Sequence, residues 1–285
     1  MEIIKRIEEV RTIVQRARAE GKTVGFVPTM GFLHEGHLAL MRQARTEQGL
    51  VVASIFVNPL QFGPGEDYAA YPRDLERDAA LAAGAGVDVL FAPEAAEMYP
   101  SGYQSMLTYV DVLKITERLC GASRPGHFRG VVTVVTKLFN IVEPDVAYFG
   151  QKDAQQVAVI KKMAADLNVN VRIETVPIVR EQDGLAFSSR NVYLNPAERQ
   201  ASLVLNKSLQ LTAEKLAAGE RDANRIIAGM KDLVAQEPLA RIDYIAACDP
   251  RTFDDVSDIQ GPVLIALAVR IGKTRLIDNL LWGEN

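Results

Sequence analysis

The sequence predicts an α/β fold, a doubly wound parallel sheet with helices on both faces, followed by a smaller α+β C-terminal domain. Three observations carry this expectation. Residues 50–57 form a run of strand length that is apolar but for Ser54, as expected for a strand buried on both faces of a parallel sheet. The apolar run at 24–27 and the strand-like stretch at 145–149 each lead into helical spacing, the alternation of a βαβ chain. Beyond residue 176 the pattern changes to a linker, two helices and then two or three strands.

Taken in order, Ile3, Ile7, Val10 and Val14 fall on one helical face and predict an amphipathic opening helix ending near Gly21. Residues 24–27 make the first strand, which Pro28 ends, and a helix begins near His34. After the strand at 50–57 come a Pro/Gly-rich loop, a helix at 74–83, a strand at 87–91 and a short extended piece at 106–110. Arg124-Pro125-Gly126-His127-Phe128-Arg129-Gly130 opens a helix reaching about residue 142. The strand at 145–149 leads to a helix marked by Val157, Ile160, Ala164 and Leu167, with Asp153 as its N-cap. A strand at 169–176 follows, then a linker-like segment with a turn at Asp183-Gly184. Asn195-Pro196-Ala197-Glu198 combines an N-cap, an N1 proline and a capping-box acid. Helices at 197–218 and 222–234 and strands at 242–247, 263–269 and 274–280 close the chain, with the domain boundary near Pro177.

At 285 residues and 48% hydrophobic content the chain can bury a sizeable core. A net charge of -4 argues against a broad nucleic-acid surface, which needs a basic stripe, but leaves room for a local pocket that binds a small anion. Cys120 and Cys248 are far apart and form no CxxC pair, which suits a reducing cytoplasm. Residues 1–20 are charged without an apolar signal core, and the longest apolar run, 263–269, is too short to cross a bilayer.

The chemistry concentrates at PTMGFLHEGH, residues 28–37, a strand-to-helix junction. Gly31 and Gly36 let backbone approach a ligand, and a helix N-terminus there suits phosphate. His34 and His37, three residues apart, can point to one side and donate to an anion. A zinc-protease helix needs its histidines four apart, so no metal ligand set is assigned; two histidines capping a turn is the plain alternative. The loop Asn58-Pro59-Leu60-Gln61-Phe62-Gly63 leaves the carboxyl end of a second strand, the edge at which open α/β sheets bind ligands, though a surface loop would read the same. Lys152 stands at a third such junction. Ser188-Ser189-Arg190 could wrap a triphosphate or simply cap a turn. Gly84 and Gly86 lack the third glycine of a dinucleotide fingerprint, and Gly272-Lys273-Thr274 is no P-loop because Leu267 occupies the first glycine position.

In order and spacing, PTMGFLHEGH, FVNPLQFGPGEDYAAYPR, RPGHFRGVVTVV, FGQKDAQQ and DGLAFSSRN resemble the pantoate–β-alanine ligase family of the HIGH/KMSKS nucleotidylyltransferase superfamily. The likeness runs from about residue 23 to 195, with a weaker stretch at 242–250. It implies a Rossmann-like nucleotide- and pantoate-binding domain at 1–176 and a smaller lid domain at 177–285. It also implies an ATP-dependent ligase of coenzyme A biosynthesis that condenses pantoate with β-alanine through a pantoyl adenylate, releasing AMP and pyrophosphate. Neither step requires an enzyme nucleophile, which fits the absence of a Ser/His/Asp or Cys/His set.

Carried over by the resemblance, His34 and His37 contact the phosphates, with His37 the proton donor, and Lys152, Ser188, Ser189 and Arg190 hold the triphosphate. Met30, Gly31, Phe32, Leu33, Glu35, Gly36, Gly150, Gln151, Asp153, Val179 and Phe187 line the ATP site, and Gln61, Gln156 and Asn58 bind pantoate. Mg²⁺ is implied on ATP oxygens with no protein ligand named, and the family implies a cytoplasmic homodimer without nucleic-acid or membrane partners. Cys120 stands where some relatives carry Glu, so that position receives no role. Two rivals stay open: a nucleotidylyltransferase acting on a phosphate ester, and a nucleotide-sensing module without turnover.

Overall fold

The computed structural model describes residues 1–283. In chain order its elements begin with β1 (Glu2–Ile4), α1 (Ile7–Ala19), β2 (Val24–Thr29), α2 (Glu35–Glu47), β3 (Leu50–Ile55), α3 (Leu75–Gly84), β4 (Val89–Phe91) and α4 (Ala95–Met98). Next come α5 (Cys120–Ser123), α6 (His127–Val142), β5 (Val146–Gly150), α7 (Ala154–Asp166) and β6 (Arg172–Val176). The chain continues with α8 (Pro196–Ser202), α9 (Val204–Ala217), α10 (Ala223–Ala235), β7 (Ala240–Cys248), β8 (Val263–Ile271) and β9 (Thr274–Trp282). Among the described residues six strands make a parallel sheet ordered β1-β4-β3-β2-β5-β6, and three make an antiparallel sheet ordered β7-β8-β9. This is the α/β architecture with a smaller α+β part that the sequence predicts.

The chain forms two compact units, one of Met1–Leu113, Arg124–Gln151 and Gln155–Pro177, the other of Lys114–Ser123, Lys152–Ala154 and Ile178–Asn285. In the first, Val27, Leu33, Met41, Val51, Leu90 and Tyr148 share one core. In the second, Leu205, Leu209, Ile226, Met230, Ile265, Leu267 and Val269 pack helices on the antiparallel sheet. Residues 114–123 belong to the second unit because their side chains meet β7 and the loop after it. Cys120 Sγ lies 3.1 Å from the Tyr244 hydroxyl, Ser123 donates to Asp243 at 3.2 Å, and Arg118 pairs with Asp254 at 3.0 Å. Asn195 caps α8 as expected, accepting from Glu198 N at 2.9 Å while Glu198 accepts from Asn195 N at 3.0 Å.

Four local expectations are corrected. The opening helix starts at Ile7, because Glu2–Ile4 is extended and pairs in parallel with β4 at the sheet edge. Helical periodicity could not see that partner. Residues 106–110 form no strand: Thr133 on α6 accepts from Val110 N at 3.1 Å and donates to Val110 O at 3.3 Å, so a side chain replaces a ladder. The expected helix 197–218 is interrupted at Leu203 into α8 and α9. Pro28 also lies inside β2 rather than ending it.

Candidate active site

The proline inside β2 has a topological use. Parallel strands bond alternately to either side: Val24 O accepts from Asp145 N on the β5 side, and Thr29 O accepts from Phe56 N on the β3 side. Pro28 is in phase with Val24, so its missing N–H falls on the β5 side. There β2 pairs with β5 only at Gly25 and Phe26, whereas its pairing with β3 runs through Thr29. The sheet therefore splits between β2 and β5, where the strand order reverses, and opens a crevice outside the carboxyl ends. Gly150 ends β5 at this point, and a Cβ there would meet nothing within 4 Å.

The chain leaves β2 through Met30 and turns sharply at Gly31 (φ +81) and Phe32 (φ 50). A Cβ on Gly31 would sit 2.8 Å from Ile55 Cγ2 and 3.0 Å from Asp78 Oδ2, so the position is closed to a side chain on space as well as conformation. Asp78 of α3, buried at 1% exposure, fixes the turn by accepting from Phe32 N at 2.6 Å and Leu33 N at 2.7 Å. Burial pushes its carboxyl up; those two N–H bonds and the Arg77 guanidinium pull the other way without cancelling it. Arg77 donates to Leu33 O at 2.9 Å and lies over the Phe32 ring at 5.0 Å. The Leu33 side chain is fully buried in the core, and the Glu35 carboxylate pairs with Arg42.

His34 is the N-cap of α2 and His37 its third residue, flanking Gly36. Their rings stack at 4.0 Å and 28°, so both do face one side, as their spacing predicts. His34 N donates to His37 Nδ1 at 3.4 Å, a capping box with histidine in the usual place of Glu. A neutral His37 whose Nδ1 accepts carries its proton on Nε2, the geometry of a donor.

The loop after β3 is seated on α6. Pro59–Gln61 is a 3-10 turn, and a Cβ on Gly130 would come 2.2 Å from Leu60 O and 2.6 Å from Gln61 N, so glycine is what permits this approach. Asn58 is 1% exposed, and both ends of its amide are engaged by protein groups. At the far end of the loop Arg124 holds Glu66 at 2.7 and 2.8 Å, and His127 lies 2.8 Å from Gln61 O. Because Arg124 Nη1, 3.0 Å away, can only donate, His127 Nε2 accepts and its Nδ1 donates to Gln61 O.

Burial raises the Glu66 carboxyl, but the hydrogen bond and charge of Arg124 outweigh it and leave the group below its ordinary 4.5. A depressed carboxylate contributes stability that is present above 4.5 and lost as pH falls through the folded value. The melting-temperature difference between the natural protein and Glu66→Gln therefore shrinks as pH is lowered from about 6 to about 3. A difference that stays constant over that range would exclude this linkage.

In the second unit, residues 180–186 form a small hairpin closed by an Arg180–Ala186 bridge, with Phe187 N donating to Val179 O at 3.1 Å. Ser188 caps the 3-10 turn Ser189–Tyr193 by accepting from Arg190 N at 3.3 Å, and Ser189 is buried. Two adjacent residues of β9 anchor the polar segments. Asp278, 1% exposed, binds Arg180 at 2.7 and 3.0 Å, and Asn279 Nδ2 donates to Lys152 O at 3.0 Å. Lys152 Nζ lies 3.7 Å from Asp153.

The structure thus gathers Met30, His34, His37, Gly150 and Gln151 at carboxyl ends of the first sheet, with Gln156 half-buried in the first turn of α7. Lys152 and the segment 179–190 share an anchor in the second unit. Sequence reading missed Asp78, Gly130, Asp278 and Asn279. An adjacent polar pair inside an otherwise apolar strand was the available signal for the last two. Among the described residues no group of three or more His, Cys, Asp or Glu is placed to hold a metal ion.

A parallel sheet split at its switch point, with a helix that starts at His34 just beyond the carboxyl end of β2, is the arrangement of an α/β nucleotide-binding protein. Residues 2–281 match the family model described as pantoate-beta-alanine ligase, and the chain belongs to that family. The pantothenate synthetase of Heliobacterium modesticaldum is 62% identical over 281 residues, 99% of each chain. That of Pelotomaculum thermopropionicum is 59% identical over 284 residues, 100% of each. Among solved structures, pantothenate synthetase from Thermus thermophilus superposes with a TM-score of 0.93 at 48% identity, covering 98% of this chain and 99% of that one. Pantoate-beta-alanine ligase from Francisella tularensis, complexed with beta-gamma ATP and beta-alanine, gives a TM-score of 0.80 at 35% identity, covering 99% and 97%.

Proposed function

We propose that this chain makes pantothenate by activating the carboxylate of pantoate with ATP and passing the acyl group to β-alanine. The carrying observation is full-length membership of the pantoate–β-alanine ligase family together with the split sheet and its two stacked histidines. A free carboxylate does not acylate an amine because an oxide would have to leave. A pantoate oxygen therefore attacks the α-phosphorus of ATP, expelling pyrophosphate, and the β-alanine amine then displaces AMP from pantoyl adenylate. The enzyme contributes position and charge.

The residue roles are part of the proposal. His37, through Nε2–H, and His34 stabilise charge on the phosphates at the start of α2, and Lys152, Ser188, Ser189 and Arg190 carry the triphosphate. Met30, Gly31, Gly36, Gly150, Gln151, Asp153, Val179 and Phe187 line the nucleotide site. Gln61 and Gln156 bind pantoate, with Asn58 behind Gln61. Mg²⁺ enters on the nucleotide's oxygens, the form in which triphosphates are ordinarily handled.

Incubation with ATP, Mg²⁺ and pantoate should yield pyrophosphate and bound adenylate, and adding β-alanine should release AMP and pantothenate in equal amounts. Pyrophosphate release with a phosphate ester but none with pantoate would replace this reading with the nucleotidylyltransferase, and ATP binding without turnover would leave a sensing module.

The homodimer is supported by the stretch 107–113, where Leu107 is 97%, Leu113 70% and Tyr109 41% exposed. Exposed apolar side chains this close along the chain are what a contact between two copies would cover. Leu107→Asp should reduce the solution mass from twice 31.3 kDa to 31.3 kDa, and an unchanged mass would move the interface elsewhere. A cytoplasmic location is supported by two buried cysteine thiols. No described helix is long and apolar enough to cross a membrane.

A further inference from the structure

Behind Gln61 lies a side-chain relay whose hydrogen-bond polarity can be worked out link by link. Asn58 Oδ1 receives Leu60 N at 3.3 Å, and Asn58 Nδ2 faces Gly130 O at 3.0 Å. A backbone N–H can only donate and a backbone carbonyl only accept, so these two contacts fix which end of the Asn58 amide is oxygen. The Tyr99 hydroxyl, 2.7 Å from Asn58 Oδ1, must then be the donor. Asn58 Nδ2 also donates to Gln61 Oε1, at 3.3 Å. With its oxygen turned toward Asn58, Gln61 presents its NH2 on the opposite side, toward Met30 Sδ at 2.8 Å. Met30 is the first residue beyond β2, so that side is the crevice.

We propose that Tyr99 is a positioning residue for the acid substrate: its hydroxyl, acting through Asn58, holds the Gln61 amide with N–H donors facing a carboxylate or hydroxyl oxygen. This rests on the reading of Gln61 as a pantoate ligand and narrows it, since Gln61 then serves as donor and not as acceptor. The site of the ring suits the task. Tyr99 is 3% exposed, Phe56 packs on it at 6.0 Å, and Lys137 Nζ lies 5.5 Å above its face, where a cation strengthens the hydroxyl as a donor. Burial raises its phenol far above the ordinary value, so it keeps its proton throughout the working range. Tyr99 lies beyond the short helix α4, 41 residues from Asn58 and remote from every motif of the sequence.

The test is Tyr99→Phe, which removes one oxygen and keeps the packed ring. Steady-state kinetics should show kcat/KM for pantoate lowered on the order of tenfold, mostly through KM, with KM for ATP unchanged. Gln61→Ala should cost more, and Tyr99→Phe added to Gln61→Ala should cost little further, because both act through one amide. Should Gln61→Ala leave KM for pantoate unchanged, the pocket assignment itself is wrong. Should Gln61→Ala impair pantoate while Tyr99→Phe does not, or should the two losses simply multiply, the relay is overturned. A Tyr99→Phe protein that melts lower but keeps its KM for pantoate likewise reduces Tyr99 to a packing residue.

Discussion

Replacing His37 or Lys152 with Ala lowers the rate of pantoyl adenylate formation by about 10²–10³ in single-turnover assays. In the roles proposed for them, each would contribute charge or a donor that matters most as the phosphates gain charge in transit, so the loss should appear in kcat more than in KM for ATP. Neither substitution should unfold the chain: His37 is half-buried at a helix start, and the anchor at Lys152 is its backbone carbonyl, which Ala retains. Melting temperatures within about 3 °C of the parent are expected. Lys152→Arg should recover only part of the rate, because a planar fork does not place its charge where a compact ammonium does. The second half-reaction, begun from supplied pantoyl adenylate and β-alanine, should fall far less, since no pyrophosphate leaves in it. Near-normal adenylate formation in either Ala variant removes that residue from the chemistry.

Asp278→Ala is expected to destabilise the protein by about 3–5 kcal/mol and to lose most adenylate formation as well. The carboxylate is nearly inaccessible and meets Arg180 through two hydrogen bonds, while Arg180 also donates to Gly184 O at 3.1 Å. Removing one member of such a pair leaves the other charge without compensation, which costs far more than the pair was worth. The functional loss follows from place: Asp278 holds the hairpin leading to Ser188-Ser189-Arg190, and its neighbour Asn279 holds Lys152. Pairing Asp278→Ala with Arg180→Met should restore part of the stability, measurable by urea denaturation, because no uncompensated charge then remains. If the double variant is less stable than Asp278→Ala alone, the ion pair is not the source of the loss.

Local signals in the chain fixed much of this. The run 50–57, apolar but for Ser54, announced the strand Leu50–Ile55 of a sheet covered on both faces, because a strand with one face in water alternates polar with apolar residues. Asn195-Pro196-Ala197-Glu198 had to start a helix, because its groups satisfy one another within four residues. His34 and His37 announced a paired site because three residues on a helix are neighbours in space. Where a feature needs a distant partner, the same reading failed. Glu2–Ile4 looked helical beside Ile7, and became a strand only because β4 offers an edge. Val110 looked like part of a strand, and belongs to none: the Thr133 hydroxyl meets its N–H and C=O where a neighbouring strand would.

By itself, then, the sequence determined the alternation of strands and helices, which follows from periodicity and capping within a few tens of residues. The kinship with a ligase family, and with it most of the residues proposed to meet a nucleotide, came from the resemblance of its motifs to that family. Only the tertiary structure decided what holds those residues in place. Asp78 on the Gly31 turn, Gly130 beneath Leu60, Tyr99 behind Asn58 and Asp278 under Arg180 join positions between 41 and 98 residues apart. Their polar atoms could have been satisfied by water in any local conformation, and only burial in the folded chain obliges each to find its particular partner.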